Sequence, residues 1–285
     1  MFHVPPQLAF YCCRSAERRA WLDHLPAVVR SLEARWALSA GTPFEDASCG
    51  WVAPVTRADG SSAVLKIGMP HMEGEDEALG LRFWNGEPTV LLLDAADELG
   101  AMLLERCEPG TKLRTLPEPE QDEIIAGLLR RLWRTPMLPH SFRPLSAMIE
   151  HWSRETELAR RLWPDAGLVT AGLELFQELA RPVGDRDRLL ATDLHAGNVL
   201  RSTRQPWLVI DSKPFIGDPA YDATQHLFNC EERVRSNPSG TIDRIADLLE
   251  VDRTRVRLWM FARAAAEPRQ NWSADSLALA GVLAP

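Results

Sequence analysis

The chain has 285 residues, 45% hydrophobic and 25% charged, a balance that suits a large globular domain or a pair of lobes and excludes a disordered or fibrous protein. A formal net charge of −8 is the wrong sign for a nucleic-acid binder, which needs clustered Lys and Arg, and suits a cationic partner. No apolar run approaches the roughly 18 residues needed to span a bilayer, so no membrane association is expected.

The five cysteines are odd in number and irregularly spaced, with no zinc-like pair, and Met1 to Phe10 lacks the basic and apolar regions of a signal peptide. Both observations predict a cytoplasmic protein with reduced thiols.

In chain order, Leu25, Val28, Val29, Leu32 and Trp36 recur at helical spacing, with Pro26 expected to open the main helix. Trp51–Val55 and Ala63–Ile67 flank Arg57-Ala58-Asp59-Gly60, which predicts a hairpin. A helix over 74–84 should stop at Asn85-Gly86, followed by strands at Val90–Leu93 and Ala101–Leu104. After Glu108-Pro109-Gly110 the periodicity turns helical. One stripe holds Ile124, Ile125, Leu128, Leu129 and Leu132, another starts at Leu145, and a third helix covers 167–179. A strand-rich insert follows at 189–210, then more helices. The predicted architecture is α+β: a small β-rich lobe over 1–106 with leading helices, and a larger, mainly helical lobe over 107–285. No heptad seam speaks to an oligomeric state.

The chemistry concentrates in Ala191-Thr192-Asp193-Leu194-His195-Ala196-Gly197-Asn198-Val199-Leu200, followed by Trp207-Leu208-Val209-Ile210-Asp211. The apolar runs read as a hairpin carrying Asn198 at the start of one strand and Asp211 at the end of the other. That arrangement offers a carboxylate to accept a hydroxyl proton and two oxygen ligands for a hard cation. Phosphoryl transfer needs those parts, because its barrier falls mainly through positioning and charge neutralisation.

The segment Asp193 to Leu200 resembles the signature of the aminoglycoside phosphotransferase family, which has a bilobal, protein-kinase-like fold. Gly217-Asp218-Pro219-Ala220-Tyr221-Asp222 is similar to the run that follows it there, and Ile210-Asp211-Ser212-Lys213-Pro214 resembles the streptomycin and hydroxyurea branch. The resemblance covers residues from about 40 to 270. It implies an ATP- and Mg²⁺-dependent kinase acting on a hydroxyl of a small, cationic, streptomycin-like compound. Alternatives are another small acceptor, such as hydroxyurea or a metabolite, and a non-catalytic nucleotide-binding protein of the same fold.

Residue by residue, the resemblance implies that Asp193 is the base and that Asn198 and Asp211 are Mg²⁺ ligands. Lys66 would hold phosphates, and Glu77, in preference to Glu75, would pair with it. The backbones of Glu105 and Cys107 would hydrogen-bond adenine. Gly50 is the lone glycine of the phosphate-covering loop over 45–51, where the family has several, and Ala191-Thr192 replaces the family's His-Gly. Lys213 either reaches a phosphate or closes a loop. His195 is expected to hold its loop through a backbone hydrogen bond, and Asp218 and Asp222 to brace it. Glu231, Glu232 and Glu267, with Asp218, are candidates for the acceptor site, the alternative being a solvated helix face.

Overall fold

The computed structural model describes residues 2–182, 184–269 and 271–284. It divides into two compact units: Met1–Thr111 with Leu200–Ile210, and Lys112–Val199 with Asp211–Pro285.

In the first unit, α1 (Pro6–Cys12) and α2 (Ala16–Trp36) precede β1 (Leu38–Ala40), β2 (Gly50–Arg57), β3 (Ser62–Gly68), α3 (Glu77–Trp84), β4 (Leu92–Ala96) and β5 (Ala101–Glu105). The strands form one five-stranded sheet in the order β1-β2-β3-β5-β4. Ala63, Leu65 and Ile67 of β3 pack with Leu25, Val29 and Leu32 of α2, while Val64 belongs to a second apolar cluster with Leu81 and Leu104. The pleat therefore puts Lys66 on the face of the second cluster.

Two expectations are corrected here. Pro26 lies inside α2, not at its start. The helix begins ten residues earlier because the Ser15 hydroxyl accepts from the Arg18 N–H, and buried Leu25 and Val29 hold the helix on both sides of the proline's missing donor. The strand expected at 90–93 lies at Leu92–Ala96; the Val90 N–H goes instead to the Val209 carbonyl, 3.0 Å away.

Val209 ends β8 (Trp207–Val209), which pairs with β7 (Val199–Arg201) in a hairpin. Although remote in sequence, Leu200–Ile210 groups with the first unit. Arg201 exchanges main-chain bonds with Gly110 and Thr111, and the Arg204 guanidinium binds both carboxylate oxygens of Glu105 at 2.9 and 2.8 Å and the Gly86 and Thr89 carbonyls.

The second unit holds α4 (Glu118–Leu132), α5 (Leu145–Leu158), α6 (Ala166–Leu179), β6 (Arg188–Leu190), β9 (Phe215–Gly217), α7 (Pro219–Phe228), α8 (Glu231–Ser236), α9 (Pro238–Leu249), α10 (Arg253–Ala266) and α11 (Ala278–Leu283). The central helix is α10, buried from Trp259 through Ala266 and packed against α6, α7, α9 and α11. Fully buried Asp122 of α4 joins three helices: it accepts from His226 of α7, Arg233 of α8 and Arg244 of α9 at 2.7–3.0 Å. Burial pushes its carboxyl up, but the bonds from His226 and Arg233 outweigh burial and hold it down to about 2. No helix among the described residues is long and apolar enough to cross a membrane.

Candidate active site

In the first unit, Lys66 pairs with Val52 on one side and Met102 on the other within the sheet. Its ammonium donates to both carboxylate oxygens of Glu77, at 2.7 and 2.6 Å. Glu77 opens α3 and is 4% exposed, whereas Glu75 is exposed at the end of the preceding turn. The negative charge also lies at the helix N-terminus, where the backbone dipole favours it.

Gly50 is the first residue of β2, opposite Gly68. A side chain there would meet the Ile67 carbonyl oxygen at 2.7 Å, so close approach of two strands explains this glycine. The preceding turn is tied down by bonds from the Phe44 N–H to the Val52 carbonyl and from the Met69 N–H to the Cys49 carbonyl. The Glu105 N–H donates to the Leu91 carbonyl at 2.9 Å. Cys107 is buried, and burial with the neighbouring Glu105 charge pushes its thiol up to about 12.

The second unit assembles the loop around Asp193. Asp222 of α7 accepts from the Ala191 N–H at 3.0 Å, the Thr192 N–H at 2.7 Å and the Trp133 indole at 2.9 Å. Burial pushes its carboxyl up to about 6, against the pull of those donors and of Arg263. The Ala191 carbonyl accepts from the N–H groups of both Asp193 and Lys213, and the Thr192 hydroxyl donates to the Lys213 carbonyl at 2.7 Å. Thr192 has φ 48° and Asp211 φ 57°, left-handed positions rare outside glycine and rarest for a β-branched residue. The bonds at Thr192 hold it there, at the position where the related signature has glycine.

On this frame the Asp193 carboxylate receives two donors. The Lys213 ammonium reaches Oδ2 at 2.5 Å, and the Gln225 amide donates to Oδ1 at 2.7 Å. Lys213 also lies 3.4 Å from Asp211 Oδ1, so one cation serves both carboxylates. The Asn198 amide nitrogen donates to the Asp193 carbonyl at 3.0 Å, so its oxygen is the acceptor it has left to offer. The His195 ring accepts from the Gly197 N–H through Nδ1. Burial holds that ring below the ordinary histidine range, with Asp193 pulling the other way and Arg114 and Lys213 reinforcing burial. The Arg114 guanidinium and the His195 ring lie against Gly197, so a side chain there would displace them.

The sequence left Lys213 undecided and passed over Gln225 and Arg114. Gln225 carried no signal, being one amide among the polar positions of an amphipathic helix. Asp218 caps α7 and takes the Arg255 guanidinium at 2.6 Å and the Trp259 indole at 2.9 Å, so it binds α7 to α10. Glu231 pairs with Arg235, Glu267 with Arg263, and Glu232 is exposed on α8. Glu231 and Glu267 both act on Arg269. Arginines thus already share Asp218, Glu231 and Glu267 among these acceptor-site candidates.

Asn198 and Asp211 offer an amide and a carboxylate oxygen, the donors Mg²⁺ takes when most of its shell is water and phosphate. Among the described residues no group of three or more His, Cys, Asp and Glu converges as a full metal cage. The pair therefore fits a hydrated Mg²⁺ carried with a nucleotide.

The family profile of aminoglycoside/hydroxyurea antibiotic resistance kinases matches residues 35–274. The chain is 37% identical over 278 residues to streptomycin 6-kinase of Streptomyces griseus, covering 92% of this chain and 88% of that one. It is 34% identical over 255 residues to hydroxyurea phosphotransferase of Kitasatospora aureofaciens, covering 87% and 73%. Among solved structures, choline kinase LicA from Streptococcus pneumoniae superposes with TM-score 0.61 at 16% identity, over 91% of this chain and 90% of that one. A thermostable aminoglycoside phosphotransferase APH(4)-Ia in ternary complex with ADP and hygromycin B gives TM-score 0.57 at 16% identity, over 89% and 95%. These likenesses carry the α+β kinase fold, and with the sequence matches they establish that the chain belongs to the aminoglycoside/hydroxyurea antibiotic resistance kinase family.

Proposed function

We propose that this protein transfers the γ-phosphoryl group of ATP to a hydroxyl of a streptomycin-type aminoglycoside. The observation that carries the reading is the Asp193 carboxylate, held from both sides five residues before Asn198 and in ion-pair range of the lysine that also serves Asp211. Each carboxylate oxygen has two lone pairs, so Asp193 keeps acceptor capacity for a substrate hydroxyl beside its two fixed donors. It orients that hydroxyl and takes its proton as the bond to phosphorus forms. Asn198 and Asp211 would hold Mg²⁺, which would neutralise charge on the phosphate oxygens. In the first unit, Lys66, steadied by Glu77, holds the phosphates, and the Glu105 carbonyl and Cys107 N–H serve adenine, since the Glu105 N–H is already used.

The cationic acceptor suits a chain of net charge −8. Five free cysteines and ATP as donor fit a cytoplasmic setting. A second acceptor is supported by one relative: hydroxyurea phosphotransferase also matches at 34% identity.

The test is transfer of labelled γ-phosphate from ATP-Mg²⁺ to streptomycin, other aminoglycosides, hydroxyurea and small sugars, with Asp193→Ala in parallel. Phosphorylated streptomycin is expected, falling by about 10² to 10⁴ in the variant. Transfer to hydroxyurea alone moves the substrate to the second reading, and nucleotide binding with no transfer to any acceptor removes the kinase reading.

A further inference from the structure

Arg263 of α10 is 4% exposed, deep in the second unit. Its guanidinium is spent in three directions: Nε to Glu267 at 2.9 Å, one terminal nitrogen to the Thr224 hydroxyl at 2.6 Å, and the other to Gln225 Oε1 at 2.7 Å. Tyr221, Phe228 and Trp152 stack their rings around it within 4.9–5.6 Å. This group cannot move without unpacking α7 from α10.

An arginine only donates hydrogen bonds. Gln225 must therefore turn its carbonyl oxygen toward Arg263, which leaves only its NH₂ group to face Asp193 Oδ1, 2.7 Å away. The polarity of the amide is thus set by a buried charge rather than by the loop. We propose that Gln225 is a positioning residue for Asp193, with its amide locked in the donating orientation by Arg263. Lys213 fixes the other carboxylate oxygen, so the two donors define the carboxylate plane and leave the remaining lone pairs for the acceptor hydroxyl. Glu267, in this arrangement, balances the buried charge of Arg263 rather than meeting substrate. The titratable and charged groups around Asp193 include Lys213, which also meets Asp211, together with His195, Tyr221 and Arg263. Gln225 is the neutral donor among them.

The inference rests on Asp193 acting as the base. Two variants test it. Gln225→Met keeps the volume and removes the donor; kcat should fall about 10–100-fold, the scale of a misplaced catalytic group, with KM for ATP within about twofold of wild type. Gln225→Glu still satisfies Arg263 but sets oxygen against oxygen at Asp193, so kcat should fall at least as far as in Gln225→Met, with KM for ATP again within about twofold of wild type. A second readout does not need activity. The carboxyl carbon of Asp193, assigned by ¹³C NMR of Asp-labelled protein against Asp193→Asn, should change its chemical shift at fixed pH in Gln225→Met, because the oxygen loses its amide donor. Unchanged kcat in Gln225→Met, or an Asp193 carboxyl signal that Gln225→Met leaves in place, overturns the proposal. A wild-type enzyme inactive on every acceptor overturns the functional reading instead, and the NMR signal then decides this one alone.

Discussion

Thr192 holds a left-handed backbone, which costs a residue with a Cβ roughly 1–2 kcal/mol. Its hydroxyl and N–H recover part of that through the Lys213 carbonyl and Asp222. Thr192→Gly removes the strain together with one hydrogen bond and should leave stability within about 1 kcal/mol of wild type. Thr192→Val keeps the strain and orphans the carbonyl, so it should cost about 1–3 kcal/mol. Equal denaturant midpoints for the two variants would refute the strain argument. Lys66 and Glu77 invite a similar comparison. Glu77→Ala leaves a buried ammonium unpaired and should cost about 3–5 kcal/mol, whereas Lys66→Met with Glu77→Leu should recover most of that loss. A double variant no more stable than Glu77→Ala would show that the pair is not what stabilises this face of the sheet.

At the scale of elements, α7 anchors the loop around Asp193 through Asp222. The Asp222 carboxyl titrates near 6 in the folded protein and near 3.8 when free of the fold. The native state therefore binds more protons across that window, and the contribution of Asp222 to stability is full below 3.8 and lost as pH rises through 6. His195 opposes it: its depressed folded value makes stability rise with pH up to the ordinary histidine range. Subtracting an Asp222→Asn denaturation series from wild type isolates the aspartate. The difference should shift against wild type by up to about 3 kcal/mol between pH 4 and pH 6, and a flat difference would mean the carboxyl stays ionised throughout. The same scale shows what periodicity could reveal. The stripes that become α4, α5 and α6 and the Asp-Gly turn between β2 and β3 were legible because each is a local signal of 3.6 or 2.0 residues. β1 and β9, three residues each, and the interior Pro26 were not, because only pairing with distant strands or burial on a distant sheet stabilises them.

For the whole molecule, nucleotide binding should stabilise the fold by mass action, about 2.7 kcal/mol at a ligand concentration one hundred times Kd. The Mg²⁺-dependent part of the ATP-induced rise in Tm should vanish in Asp211→Asn and persist in Asp193→Asn, because only the first removes a proposed Mg²⁺ ligand. A melt that responds to Mg²⁺ equally in both variants would move the ion elsewhere.

The sequence by itself determined the kinase-like class and singled out Asp193, Asn198 and Asp211 as neighbours, since they are tied to one another by short stretches of chain. It also ordered Lys66 before Glu77. Only the tertiary structure decided what surrounds them. Gln225 meets Asp193 while held by Arg263 because α7 packs on α10, Arg204 meets Glu105 across almost a hundred residues, and Glu231 and Glu267 are paired with arginines of their own helices or of the next turn. Hydrogen-bond partners of that kind are chosen by packing between remote elements, and no local pattern along the chain encodes them.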